Sequence, residues 1–299
     1  MHVLLLGGTG SIGSAILKEL ITHGHRVTAL ARSDRSAAIL SENRAIPLPG
    51  DLVCPVDWAH AAAEVDAVVH AAADFDTDMG AIDRAFLEAI VAAASGRRTP
   101  LRFLYTGGCW LFGETGQEIA DETMPYDPLP SFSWMLENWD WLADAPCIAP
   151  ILIHPAMVWD ELGGVLHRYM EAAWNGRPIE IWGSPDVTWP LVHRRDLASA
   201  YRLALENAPA GETYCIAAET GVKTSTLADA VAERAGSKHP HSVLSVEQAV
   251  TQHGDWAAGP ALVQRMSGEK IVRDLGWNPL IEDAAGLISG LNQGSPGFQ

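Results

Sequence analysis

The chain has 299 residues, 48% of them hydrophobic and 19% charged, with a formal net charge of −17. That composition supports a packed core rather than disorder, and so acidic a surface excludes nucleic acid and anionic membranes as partners. No run of ~18 apolar residues offers a membrane span, the apolar run at 3–6 is too short for a signal-peptide core, and Cys54, Cys109, Cys147 and Cys215 form no Cys-x-x-Cys pair, so a cytoplasmic protein with reduced thiols, no disulfide framework and no metal site is expected.

In chain order, strands are predicted at 2–7, 26–31, 45–48, 66–71, 101–106 and 147–154. Helices are predicted between them at 11–23, 33–42, 56–64, 79–95 and 131–143. This alternation predicts a doubly wound parallel sheet, and the continuously apolar runs VLLL and AVVHAA suit strands covered on both faces. After His154 the rhythm changes. Helices are predicted at 162–174, 196–207, 225–235, 267–275 and 281–291, with short strands at 179–181, 188–193 and 213–217. Asp196, Thr224 and Ser267 are expected N-caps, and Gly276 with Pro279 an expected helix stop.

The strongest motif is Gly7-Gly8-Thr9-Gly10-Ser11-Ile12-Gly13, between the first strand and the first helix. A side chain at Gly7 or Gly10 would block the tight turn and the approach of a pyrophosphate. Gly13 lets the helix pack on the strand, and the helix N-terminus offers its amides to the phosphates. A cofactor-binding loop is therefore expected from Gly7, Thr9, Gly10, Ser11, Ile12 and Gly13. The second strand ends Leu30-Ala31-Arg32-Ser33, with no acid before Asp34 to meet a ribose 2′-hydroxyl. Arg32 and Arg35 suit a 2′-phosphate instead, which favours NADP(H) over NAD(H). The fold class follows: α/β, a Rossmann-type doubly wound parallel sheet with a small C-terminal α/β substrate lobe. The expected domains are 1–154 with 184–217 interleaved, and 155–183 with 218–299.

At this point the chain resembles the extended short-chain dehydrogenase/reductase group, the epimerase/dehydratase-like superfamily, over almost its whole length. GGTGSIG matches the N-terminal glycine motif, and Gly50-Asp51-Leu52 the Gly-Asp-Leu after the third strand. The run 68–73, ending Ala71-Ala72-Ala73, is similar to the fourth-strand end. Residues 189–198 resemble the "VHvdDlA" signature and 275–279 the C-terminal "LGw.P". The resemblance implies cofactor contacts from Asp51 and Leu52, from Ala71, Ala72 and Ala73, from Thr106 and Gly107 after the fifth strand, and from His154 and Pro155 after the sixth. It also implies a homodimer, paired through the helices at 79–95 and 131–143.

The family's catalytic signature is Tyr-x-x-x-Lys with an upstream Ser or Thr. None of the four lysines, Lys18, Lys223, Lys238 and Lys270, follows a tyrosine by four positions. Aligned on Glu122, Pro125 and Pro128, the Tyr and Lys positions fall on Phe132 and Leu136. Shifted by one turn they fall on Leu129 and Ser133. Counting back from Gly113, the Ser/Thr position falls on Gly108. The stretch 154–160 stands where the family has "RP..VYG".

Hydride transfer needs a held nicotinamide, an electrophilic carbon and a proton source. With the Tyr/Lys pair missing, Asp74, Asp76, Cys109, Glu137 and His154 are the candidate proton donors. Each has an alternative reading: a solvated carboxylate or cap, a buried thiol, a strand-end histidine. Among 11 tryptophans, several fall in segments the family uses to border its substrate. Gly108, Cys109, Trp110, Phe132, Trp134, Trp159 and Trp189 are the expected substrate-binding residues, for an apolar or aromatic small molecule, or a cationic one held on ring faces. The acidic chain disfavours a nucleotide-sugar, although Arg168, Arg177, Arg194 and Arg195 keep one open. Three functions are weighed: an NADP(H)-dependent oxidoreductase acting on a small carbonyl-like compound, a non-catalytic NADP(H)-binding redox sensor, and a non-redox isomerase or lyase.

Overall fold

The computed structural model describes residues 1–73, 78–161, 163–239 and 241–290. In chain order its elements are β1 (His2–Leu6), α1 (Ser11–Thr22), β2 (Arg26–Ala31), α2 (Asp34–Glu42), β3 (Ile46–Pro49), β4 (Ala67–His70), α3 (Met79–Ala94), β5 (Leu101–Thr106), α4 (Trp134–Ala143), β6 (Ile148–Pro155), β7 (Met157–Asp160) and β8 (Gly163–Gly164). They continue with α5 (His167–Trp174), β9 (Glu180–Trp182), β10 (Thr188–His193), α6 (Arg194–Asn207), β11 (Thr213–Ile216), β12 (Glu219–Lys223), α7 (Thr224–Ala235), β13 (Ser242–Leu244), α8 (Val246–His253), α9 (Glu269–Leu275) and α10 (Ala284–Gly290). Two compact units emerge. The first takes Met1–Gly107, Trp134–His154 and Leu197–Tyr214; the second takes Gly108–Ser133, Pro155–Asp196 and the described residues from Cys215 onward.

The first unit is the expected Rossmann-type layer structure. Its seven-stranded sheet runs β11-β6-β5-β4-β1-β2-β3, with parallel pairings from β3 through to β6. The order reverses between β1 and β4, the switch point where ligands of open α/β sheets bind. Val3, Leu4, Leu5 and Leu6 are fully buried, as are Val68 and Val69, because helices cover both faces. One face packs Trp58, Phe86, Leu87, Ile90 and Phe103 into a single apolar cluster. The edge strand β3 reads Ile46-Pro47-Leu48-Pro49, and Pro47 and Pro49 sit beside Ala29 and Ala31 of β2.

The second unit holds a four-stranded sheet, β12-β10-β7-β8, and a two-stranded pair, β13-β9. β10 runs parallel to β7 and antiparallel to β12. Two of the motifs read in the sequence meet here. The Trp277 indole donates to the Asp196 carbonyl (2.9 Å), and the Asp196 carboxylate accepts the Ile281 amide (2.9 Å).

Several elements differ from the sequence expectation. The stretch 56–64 is two 3-10 turns, Pro55–Asp57 and Ala59–Ala63; Trp58, buried between them, donates its indole N–H to the Asp51 carbonyl and holds the segment tight. The helix expected from 162 starts at His167, because Gly163 and Gly164 adopt φ of 152° and 65° and pair with β7. Strands β7, β8, β12 and β13 and helix α8 have no counterpart in the sequence expectation. Asp196 lies in the first turn of α6 rather than at its cap. Lys223 stands at the cap of α7, with Thr224 its first residue. Ser267 accepts the Glu269 amide (3.1 Å), but Gly268 is the N-cap of α9. Gly276 ends that helix in the left-handed conformation, as expected.

Candidate cofactor site

The glycine loop is shaped by close backbone approach. Gly7 has φ 88°, and a Cβ there would stand 2.5 Å from the Ala71 carbonyl oxygen and 2.8 Å from the Ala72 Cα. A Cβ on Gly13 would stand 2.0 Å from the Gly7 oxygen. The loop folds back on itself through the Gly10 amide, which donates to the Gly7 carbonyl (2.9 Å). Gly10 is the N-cap of α1 and supplies no side-chain cap. The first-turn amides of a helix lack intrahelical acceptors, so this end presents bare donors beside the exposed Thr9, Gly10 and Ser11. Ile12 is half-buried and Gly13 buried. A cradle that a Cβ would fill is the fit expected of a pyrophosphate site.

Arg32 follows β2 directly and is exposed, as is Arg35 in the first turn of α2. Ser33 caps that helix by accepting the Ser36 amide (3.2 Å). On the next crossover Gly50 donates to the Ala31 carbonyl (3.1 Å), which brings exposed Asp51 and half-buried Leu52 to the end of β3. A Cβ on Gly50 would meet the Trp58 ring at 2.7 Å, so glycine and tryptophan together shape this turn.

At the end of β4, Ala71 donates to the Leu6 carbonyl (3.0 Å) and so lies against β1. Ala71 and Ala72 are half-buried and Ala73 exposed; Asp74 and Asp76 lie outside the described residues. The neighbouring strand end is cross-linked. The Thr106 hydroxyl donates to the His70 carbonyl, and, having one proton, accepts the Tyr201 hydroxyl (2.6 Å). Burial pushes the Tyr201 phenol well up. Gly107 donates to the Ile153 carbonyl (2.8 Å), and His154, the next-to-last residue of the adjacent strand, is fully buried.

Sequence reasoning missed the buried cluster behind this turn. His70 Nε2 donates to Asp83 (2.8 Å), the Tyr105 hydroxyl donates to the other Asp83 oxygen (2.7 Å), and the Asn138 amide joins them there (2.9 Å). Burial, then the Asp83 carboxylate beside it, pushes the Tyr105 phenol well above its ordinary range. The signal was present: Asp83 falls on the apolar stripe of α3, among Met79, Phe86, Leu87 and Ile90. Trp134 packs over Gly80, whose Cβ would meet its ring at 2.9 Å. Glu137 stands exposed in the first turn of α4.

The remaining candidates belong to the second unit. Pro155 ends β6, buried. Gly108 precedes a 3-10 turn, Cys109–Phe112, pinned by the Gln264 amide to the Cys109 (2.8 Å) and Gly113 (2.7 Å) carbonyls. Cys109 is buried, and burial pushes its thiol up to about 12. Trp110 packs on Phe132 with ring centroids 5.1 Å apart, and its Nε1 is buried with no partner among the described residues. Trp159 and Trp189 are part of the packing. Trp159 meets His193 edge-on at 5.0 Å, and the Trp189 indole donates to the Pro260 carbonyl (2.8 Å). Among the described residues no group of three or more His, Cys, Asp or Glu is placed to hold a metal, and no helix is long and apolar enough to cross a membrane.

A parallel sheet with a glycine cradle at its switch point defines a dinucleotide-binding Rossmann protein. Residues 3–217 match the NAD dependent epimerase/dehydratase family, and the chain belongs to that family. An uncharacterized protein of Saccharomyces cerevisiae is 29% identical, over 95% of this chain and 97% of its own. The fold is shared with the human epimerase family protein SDR39U1, solved with NADPH: 18% identity, TM-score 0.77, 97% of this chain and 98% of that one. It is shared too with the UDP-glucose 4-epimerase of Thermus thermophilus, solved with NAD: 21% identity, TM-score 0.76, 97% of both chains.

Proposed function

We propose that the protein is an NADP(H)-dependent oxidoreductase of the extended type, acting on a small, fairly apolar carbonyl-like compound. The observation that carries the cofactor part is the bare backbone cradle of Gly7, Gly10 and Gly13, with Arg32 immediately past β2 and no acid before Asp34. The loop and the first-turn amides of α1 would hold the pyrophosphate. Asp51 would lie toward the adenine, and Arg32 with Arg35 would take a 2′-phosphate through charge-assisted bonds. When bound, the dinucleotide supplies or accepts a hydride at its nicotinamide.

On this reading the proton moves by a route other than a Tyr/Lys pair, since no lysine follows a tyrosine by four positions and the matching positions fall on Phe132 and Leu136 or on Leu129 and Ser133. Burial pushes the Cys109 thiol up to about 12, which argues against a thiolate nucleophile there. That leaves His154, the carboxylates of Asp74, Asp76 and Glu137, and water as sources. The indole-rich segments, with Trp110 on Phe132, favour an apolar or aromatic substrate.

Calorimetry with NADPH and NADH tests the reading. Wild-type protein binds NADPH more tightly, and Arg32→Asp loses that preference by about tenfold or more, the scale of one charge-assisted bond lost and a repulsion gained. No heat with either dinucleotide refutes the proposal. A second reading, a non-catalytic NADP(H)-binding sensor, is favoured by the missing Tyr/Lys pair. NADPH binding with no loss of reduced-nicotinamide absorbance across a carbonyl panel selects it.

A further inference from the structure

We infer that Asp83 is a positioning residue of the cofactor site: by fixing the tautomer of His70 it holds the Ala71–Ala72 wall against which the glycine loop is built. This rests on the reading of that loop as a dinucleotide cradle.

Asp83 is fully buried. A buried carboxylate is costly unless both its oxygens are met by hydrogen-bond donors. Here it is met by the three donors described above, from β4, β5 and α4. Asn138 uses the same amide on the Gly80 carbonyl (3.1 Å), which fixes its flip as well as its place. An ionised carboxylate only accepts, so the His70 nitrogen facing it, Nε2, carries a proton.

The other ring nitrogen has the opposite job. The Ala72 amide donates to His70 Nδ1 at 3.5 Å, the long end of the hydrogen-bond range. A nitrogen that accepts carries no proton, so His70 is the neutral Nε2–H form. Its partner on one side sets the nitrogen on the other. The ring is also packed by Phe86 (4.8 Å, edge-on) and Tyr105 (5.3 Å), and its own carbonyl takes the Thr106 hydroxyl. Both ends of His70 are thus gripped, and the Ala72 amide is aimed by the imidazole.

The wall and the loop are in contact, because a Cβ on Gly7 would overlap the Ala71 carbonyl and the Ala72 Cα. A displaced wall therefore displaces the loop. Packing alone does not call for an acid at this position, since the rest of the α3 stripe is apolar. The acid is accounted for by what it does to His70.

Asp83→Asn is the isosteric test. The new amide keeps its oxygen for Tyr105 and Asn138 and turns its NH2 toward His70. Nε2 must then accept, the ring proton moves to Nδ1, and two N–H groups face each other at Ala72. Long-range proton–nitrogen correlation spectra of the histidine rings read this directly, with His70 assigned by the signal missing from His70→Gln. The expected result is Nε2–H in the wild-type protein, Nδ1–H in Asp83→Asn, and NADPH affinity lowered about tenfold in the variant, the scale of one buried hydrogen bond. Tyr105→Phe removes one donor but leaves the tautomer in place, and binds NADPH as the wild type does. A flipped ring with unchanged affinity overturns the inference, and so does an unflipped ring in Asp83→Asn. If Asp83→Asn does not fold, the wild-type ring decides: Nε2–H supports the inference, and Nδ1–H or a doubly protonated ring overturns it. Wild-type protein that binds neither NADPH nor NADH fails separately, and takes the cradle reading and this positioning role with it.

Discussion

Two alanine substitutions three residues apart separate folding from binding in the glycine loop: Gly13→Ala and Gly10→Ala. A Cβ at Gly13 stands 2.0 Å from the Gly7 oxygen and 2.7 Å from its carbonyl carbon. Both are main-chain atoms that cannot swing aside. Replacing a helical glycine by alanine gains up to ~1 kcal/mol of propensity, while forcing an atom into a packed site costs about 1–3 kcal/mol or more. At this separation the clash wins, and Gly13→Ala is expected to be destabilised by about 2 kcal/mol. Gly10 differs. Its φ of −78° and ψ of 174° suit any residue, and its Cβ meets only the Gly7 oxygen at 3.3 Å. Alanine is a poorer N-cap than glycine, so the cost is at most about 1 kcal/mol. That Cβ would nevertheless stand on the exposed rim, where the phosphates are proposed to lie. Urea unfolding and calorimetry with NADPH read the two properties apart. Gly10→Ala should keep near-wild-type stability and lose about tenfold or more in affinity; Gly13→Ala should lose stability first. A Gly10→Ala protein with wild-type affinity, or a Gly13→Ala protein as stable as wild type, refutes the reasoning.

Three further outcomes follow from the geometry. Trp58→Phe removes the indole N–H from the Asp51 carbonyl (2.7 Å), which keeps the Cys54 amide (3.0 Å); it should cost about 1 kcal/mol in urea unfolding and speed amide exchange in the turn carrying Asp51 and Leu52. Iodoacetamide near neutral pH, followed by mass spectrometry, should label exposed Cys54 and spare buried Cys109; equal labelling of the two contradicts the burial. The same thiol sets an alkaline limit. Its folded pKa is raised, so its contribution to stability is complete below the unfolded thiol's pKa of about 8.5 and is lost as pH rises toward about 12. The urea midpoint of the wild-type protein should fall across that window faster than that of Cys109→Ala.

Much of the first unit was legible because local and global signals agree there. The run VLLL followed by GGTGSIG is at once an apolar strand, a turn that needs φ > 0 and a helix start, and the structure builds all three. The second unit was harder. Its strands β7, β12 and β13 are three to five residues long, too short for alternation to register. Gly163 and Gly164 fall at the start of a helical pattern in the sequence, and their positive φ and pairing with β7 displace that start to His167. The His70–Asp83 pair was hidden for another reason. An acid thirteen residues from a histidine, on an alanine-rich helix, reads as a surface charge. Only its place on the stripe of Met79, Phe86 and Ile90 turns it inward.

The rim of the sheet at β3 has a consequence of its own. Proline has no N–H, so Pro47 and Pro49 can spend none on β2, and their nitrogens face outward from the pairing with Ala29 and Ala31. A foreign strand arriving at that rim would find carbonyl oxygens but no amide hydrogen at either position. Growth of the sheet from molecule to molecule therefore stops at β3. Restoring two donors with Pro47→Val and Pro49→Val would remove the guard without touching the cradle at the far end of β1.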